Sequence, residues 1–104
     1  MVPENSDPLP LAEDDAARLR AWRAELDGLN LRLVALVQER ARLVAEVARF
    51  KRERGLPPFD AQREEEMLDG LLAQAGPGLL PDELARLLRI AMRFYRRVAR
   101  RARG

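Results

Sequence analysis

A chain of 104 residues, 47% hydrophobic and 35% charged, holds enough apolar matter for one folded domain with a large wetted surface. It has neither cysteine nor histidine, which excludes disulfides, thiol nucleophiles, imidazole acid–base steps and metal sites built on those ligands. The net charge is only +2, yet from Arg89 onward the chain carries Arg93, Arg96, Arg97, Arg100, Arg101 and Arg103 with no acid among them, and Lys51 is its only lysine.

The first stretch, MVPENSDPLPLAEDD, is acidic and broken by prolines. It lacks the basic n-region and apolar h-region of a signal peptide, and no later apolar run is long enough to span a membrane. A cytoplasmic protein with no membrane partner is expected. Residues 1–10 read as a flexible tail and 11–104 as one helical domain.

A helical pattern then runs without interruption to Gly55. Leu19, Trp22, Leu26, Leu29, Leu33, Leu36, Leu43, Val47 and Phe50 recur on alternating three- and four-residue steps, an a/d seam over several heptads. Gly55 suits the left-handed position after a helix, and Leu56-Pro57-Pro58 prevents continuation. Asp60 reads as the N-cap of a second helix with Glu64 and Glu65 near its first turn and Met67, Leu68, Leu71 and Leu72 on its apolar face. That helix ends at Ala75–Gly78. A third opens at Pro81, followed by Asp82 and Glu83, and shows Leu84, Leu87, Leu88, Ala91, Met92, Tyr95 and Ala99 on one face. The pattern predicts an all-α fold of three helices: one long, one short, one medium.

The first helix is too long for a monomeric globule. Residues 14 to 54 span roughly 60 Å at about 1.5 Å per residue, whereas a compact 100-residue domain has a radius of gyration of about 13 Å. A seam of that length calls for a second copy, and an intertwined homodimer is expected.

Extending the heptad places Arg40 at an a position, between Leu33 and Val47. A charge in a core position costs several kcal/mol unless it is paired. Two readings are open: a structural bond to a carboxylate such as Glu64 or Glu66, or a guanidinium kept for an anionic ligand. Arg23 and Lys51 each follow a d residue by one position, where most charges merely solvate the flank of a seam. They lie about 42 Å apart along one helix, so a small ligand cannot touch both in the same chain. On an antiparallel partner helix, however, Arg23 approaches the other chain's Arg40–Lys51 stretch, and twofold symmetry makes two such pockets.

The string GLPPFDAQREEEML, following a helix that contains ERARLVAEVARFK, resembles the all-helical (AroQ class) chorismate mutases. The segment LRAWRAELDGLNLRLVALVQERARL is similar to the start of the same pattern, and the resemblance runs from about residue 16 to 95. It implies an interlocked dimer of three-helix chains that turns chorismate into prephenate in phenylalanine and tyrosine biosynthesis, with no metal or cofactor. It further implies that Arg40 and the partner subunit's Arg23 grip the substrate carboxylates. By the same resemblance Lys51 contacts a carboxylate and the breaking ether oxygen, Asp60 and Glu64 hold the ring hydroxyl, and Arg63 supports the site. Lys51, Arg40 and Glu64 would be the catalytic groups. The plainer readings are a simple N-cap for Asp60 and an exposed helix start for Arg63 and Glu64.

The chemistry suits the inventory. An intramolecular pericyclic rearrangement needs no base, nucleophile or metal; it needs a dianion held in a reactive conformation and positive charge where the ether oxygen gains electrons. The third helix departs from the family's pattern. Where a small polar residue and, one turn later, Gln or Glu are usual, this chain has Tyr95 and Ala99. Tyr95 is the substrate-binding candidate there, Ala99 has nothing to donate, and a shift of one residue would offer Arg96 and Arg100 instead.

That departure keeps two relatives of the reaction open on the same fold, an aminodeoxychorismate mutase and an isochorismate–pyruvate lyase; the full Asp-x-x-Arg-Glu run from Asp60 to Glu64 argues against the lyase. A reading from another class is a non-catalytic helical dimer whose arginine-rich end binds nucleic acid or an acidic protein. It is disfavoured, because aromatic interleaving is sparse and no nucleic-acid motif is present. A solvated helix end, where cations suit the dipole, accounts for those arginines.

Overall fold

The computed structural model describes residues 10–104. These form α1 (Glu13–Glu53), α2 (Ala61–Ala73) and α3 (Pro81–Arg103), with no strand among the described residues. At 41, 13 and 23 residues, the helices follow the long, short, medium order expected from the sequence. The tail expected over residues 1–10 lies outside the described residues except for Pro10, which is exposed. No described helix is long and apolar enough to cross a membrane.

Local chemistry explains each boundary. Glu13, Asp14 and Asp15 occupy the first turn of α1 and Lys51 and Arg52 its last, each sign matching the helix dipole. Gly55 sits at φ 66° and donates its N–H to the Arg52 carbonyl at 3.2 Å, while Leu56 N–H donates to the Lys51 carbonyl at 2.8 Å. This is a Schellman ending, and it requires the left-handed residue that glycine supplies. Asp60 is extended (φ −123°) and its carboxylate accepts from Arg63 N–H at 3.1 Å, capping α2. α3 begins on Pro81, and Glu83 reaches back to accept from Leu80 N–H at 2.9 Å.

Two compact units divide the chain, Met1–Val37 and Gln38–Gly104. Within the described part of the first, no side chain is buried, and Trp22, Leu26, Leu29, Leu33 and Leu36 are each half or more exposed. The second has a small core to which each helix contributes one buried residue: Ala48, Leu68 and Met92. The end of α3 is tied to α1 by Arg52 Nη1, which donates to the Arg103 carbonyl, and by Arg103 Nη1, which donates to the Ala48 carbonyl at 3.3 Å.

α2 and α3 are joined by an exposed fork, with Arg89 donating to the two Glu65 oxygens at 2.8 and 3.4 Å. The hydrogen bond from Arg89, and then its charge, hold the Glu65 carboxyl below its ordinary 4.5. A carboxylate with a lowered folded-state value stabilises above the unfolded value and loses that contribution as pH falls through the folded one. Glu65→Gln is therefore expected to lower the melting temperature slightly at pH 7, because exposed pairs contribute little. The wild-type and variant melting curves should converge in acid. Calorimetry across that range checks it, and a gap that persists in acid would mean the ion pair is not the cause.

Candidate active site

The second unit carries a solvent-open cavity of about 360 Å³, in the range of small-molecule sites. Its α1 wall comes from one helical face: Arg40, Val44, Val47 and Lys51 recur at three- and four-residue steps. The α1–α2 connection adds Pro58, Phe59 and Asp60, and the first turns of α2 add Arg63, Glu64 and Met67. Met92, Tyr95, Arg96 and Ala99 form the α3 wall.

Arg40 decides between its two readings. Its Nη2 lies 3.7 Å from Met67 Sδ and 3.7 Å from Met92 Sδ, both weak acceptors, and its guanidinium lies 4.3 Å from the centroid of the Tyr95 ring. Its Nη1 is buried with no hydrogen-bond partner among the described residues. The structural bond to Glu64 or Glu66 is not made. Glu64 turns to Arg96 of α3 at 3.3 Å, and Glu66 accepts from Gln62 on its own helix at 3.2 Å. A buried N–H without an acceptor costs about 1–3 kcal/mol, and Arg40 carries that cost within the described residues.

Of the other residues singled out from the sequence, Lys51, Asp60, Arg63, Glu64 and Tyr95 all line this cavity with Arg40. Lys51 is half-buried in the last turn of α1 and has no ion-pair partner among the described residues. Asp60 serves as the cap of α2 and borders the cavity at the same time. Arg23 is exposed, belongs to the first unit and is not among the lining residues. Both third-helix candidates, Tyr95 and Ala99, face the cavity as the apolar register required, and so does Arg96 from the shifted register; Arg100 does not.

From the sequence Met67 and Met92 read as apolar-face residues and Pro58 only as a helix stop, while Phe59 carries no signal. The two methionines could not be linked to Arg40 by any local pattern. Their soft sulfurs let a guanidinium lie against them without satisfying it.

By count, four cations (Arg40, Lys51, Arg63, Arg96) face two carboxylates (Asp60, Glu64), leaving two positive charges uncompensated. Such an excess, gathered in one concave site, favours a ligand with two negative charges.

A family model described as chorismate mutase type II matches residues 22–100. Over 78 residues the chain is 37% identical to the T-protein of Enterobacter agglomerans, covering 74% of this chain and 21% of that protein. It thus spans about a fifth of the length of that curated relative. Among solved structures it is similar to chorismate mutase from Thermus thermophilus in two forms. Form II gives a TM-score of 0.76 at 34% identity, covering 81% of this chain and 96% of that one. Form I gives 0.72 at 36% identity, covering 75% and 98%. A helical frame of this topology, a matched segment that includes every cavity-lining residue, and a cavity carrying two excess positive charges agree with one another: the chain belongs to the chorismate mutase type II family.

Proposed function

We propose that the chain rearranges chorismate to prephenate, as an intertwined homodimer with two sites that each draw residues from both chains. The observation that carries this reading is Arg40, whose buried Nη1 has no protein acceptor among the described residues, inside a cavity with excess positive charge. A substrate carboxylate supplies that acceptor in the planar, two-pronged geometry that a guanidinium matches.

The reaction is an isomerisation. The ether C–O bond breaks as a C–C bond forms between the side arm and the ring, and no atom or proton leaves. Arg40, with Arg23 of the partner subunit, holds the two carboxylates so that the arm lies over the ring, which converts orientation into rate. Lys51 donates to one carboxylate and to the ether oxygen as negative charge grows there. Asp60 and Glu64 hold the ring hydroxyl, whose single O–H is donated to the Glu64 carboxylate, Arg63 supports the same edge, and the Tyr95 hydroxyl completes the α3 wall. Because Ala99 carries no donor, ether-oxygen stabilisation falls mainly on Lys51.

The dimer has its own support. In a single chain the seam from Trp22 to Leu36 remains half or more exposed, far more contiguous apolar surface than a monomeric protein leaves in water.

Purified protein is expected to consume chorismate, read as loss of its ultraviolet absorbance with appearance of prephenate. The acceleration should be at least about 10⁶-fold over the uncatalysed reaction, the lower end for enzymes. Chorismate left unconsumed overturns the proposal, and release of pyruvate and salicylate from isochorismate would assign the fold to the lyase reaction instead.

A further inference from the structure

We propose that Arg96 is a positioning residue of this site, fixing the Glu64 carboxylate in the orientation that receives the ring hydroxyl; the inference rests on the substrate reading given above. Arg96 Nη2 lies 3.3 Å from Glu64 Oε1, and the Glu64 side chain is only 19% exposed. A carboxylate oxygen so far withdrawn from water calls for a donor within the protein. Arg96 is the cation that α3 brings to it. The same guanidinium lies 5.2 Å from the centroid of the Phe59 ring. One side chain therefore ties α3 to the α1–α2 connection and to the first turn of α2, and all three border the cavity.

No other α3 residue lining the cavity is a cation: Met92 turns its sulfur to Arg40, Tyr95 presents its ring to Arg40, and Ala99 ends in a methyl group. Charge points the same way. An unneutralised Glu64 would face an incoming dianion, and the repulsion would weaken binding before any chemistry began. Arg96 cancels that charge and restrains the rotamer at once. The Arg89–Glu65 pair joins the same two helices, yet neither residue lines the cavity, which makes it an internal control.

The test is steady-state kinetics on chorismate with Arg96→Met, Arg96→Lys, Glu64→Gln, the double variant Arg96→Met/Glu64→Gln, and Arg89→Met. A hydroxyl held equally in ground and transition state appears in KM, so Arg96→Met should raise KM roughly tenfold with kcat within about twofold. Arg96→Lys should recover most of the loss. Arg96→Met should add little once Glu64 is already Gln, because the two act as a unit. Arg89→Met should behave as wild type.

Unchanged constants in Arg96→Met would overturn the proposal. Additive losses in the double variant would do so too, since Arg96 would then meet the substrate itself. Should Arg96→Met fail to fold, Arg96→Lys alone decides, and a loss as large as Glu64→Gln in that variant overturns the charge-based role. Wild-type protein that leaves chorismate untouched overturns the substrate reading and this inference together. An active wild type with an indifferent Arg96 overturns this inference alone.

Discussion

Replacing Arg40 by methionine is expected to cost most of the turnover while leaving the folded protein as stable as before, or more stable. The two effects have opposite signs if, as proposed, the guanidinium serves the ligand at the expense of the fold. Its surroundings are two methionine sulfurs and a tyrosine ring, and its Nη1 is buried without an acceptor among the described residues. Methionine fills a similar length with apolar atoms and removes that orphaned donor, a relief of about 1–3 kcal/mol. Against this stands the lost contact with the Tyr95 face, about 0.5–2 kcal/mol. The net change in stability is therefore small and leans toward stabilisation. Activity moves much further. Truncating one partner of a buried charge pair costs about 2–5 kcal/mol, which at about 1.4 kcal/mol per decade is roughly 30- to several-thousand-fold in kcat/KM. Thermal melting and steady-state kinetics on one preparation read both. A melting temperature lowered by many degrees would make Arg40 a structural residue, and an unchanged kcat/KM would remove it from the site.

That contrast also shows what the sequence could and could not disclose. The helices were legible because their stops are local: Gly55 with two prolines behind it, Asp60 as a cap, Pro81 as a first-turn residue. Arg40 was legible as a charge interrupting an apolar seam, because heptad spacing alone puts it there. What its nitrogens meet was not legible. Met67 and Met92 come from other helices, and nothing local distinguishes a methionine beside a guanidinium from one in a core. For the same reason the sequence could not say whether Arg40 bonds Glu64 or Glu66; Glu64 turns toward Arg96 of α3 and Glu66 toward Gln62. The register of α3 was half legible. Successive residues on a helix are separated by about 100°, so a groove wide enough for a small molecule borders two neighbouring positions. Tyr95 and Arg96, offered as alternatives, both line the cavity.

Mixing two inactive variants, Arg23→Ala and Lys51→Ala, is expected to restore about a quarter of wild-type turnover. Random reassortment of two chains gives half heterodimers, and in each of those one site has lost both residues while the other keeps both. Half of the dimers with half of their sites intact makes about a quarter, a value fixed by symmetry rather than by the chemistry. The expectation follows from where the residues lie. The cavity, with Arg40 and Lys51, is built wholly from residues after Val37, and Arg23 is on the exposed part of α1 before it. Energetics favour the pairing that would bring the partner subunit's Arg23 to the cavity. Covering the exposed half of Trp22, Leu26, Leu29, Leu33 and Leu36 contributes about 1 kcal/mol per side chain, or about 10 kcal/mol over two chains. That is comparable with the cost of association, and covering the half-exposed Phe50 as well would tip the balance toward the proposed dimer. The chains are to be unfolded and refolded together, since an interlocked pair would not exchange on mixing, and sedimentation of the product tests for the dimer. Full activity in Arg23→Ala alone would remove that residue from the site. No recovery in a proven heterodimer would mean that each site is completed within one chain.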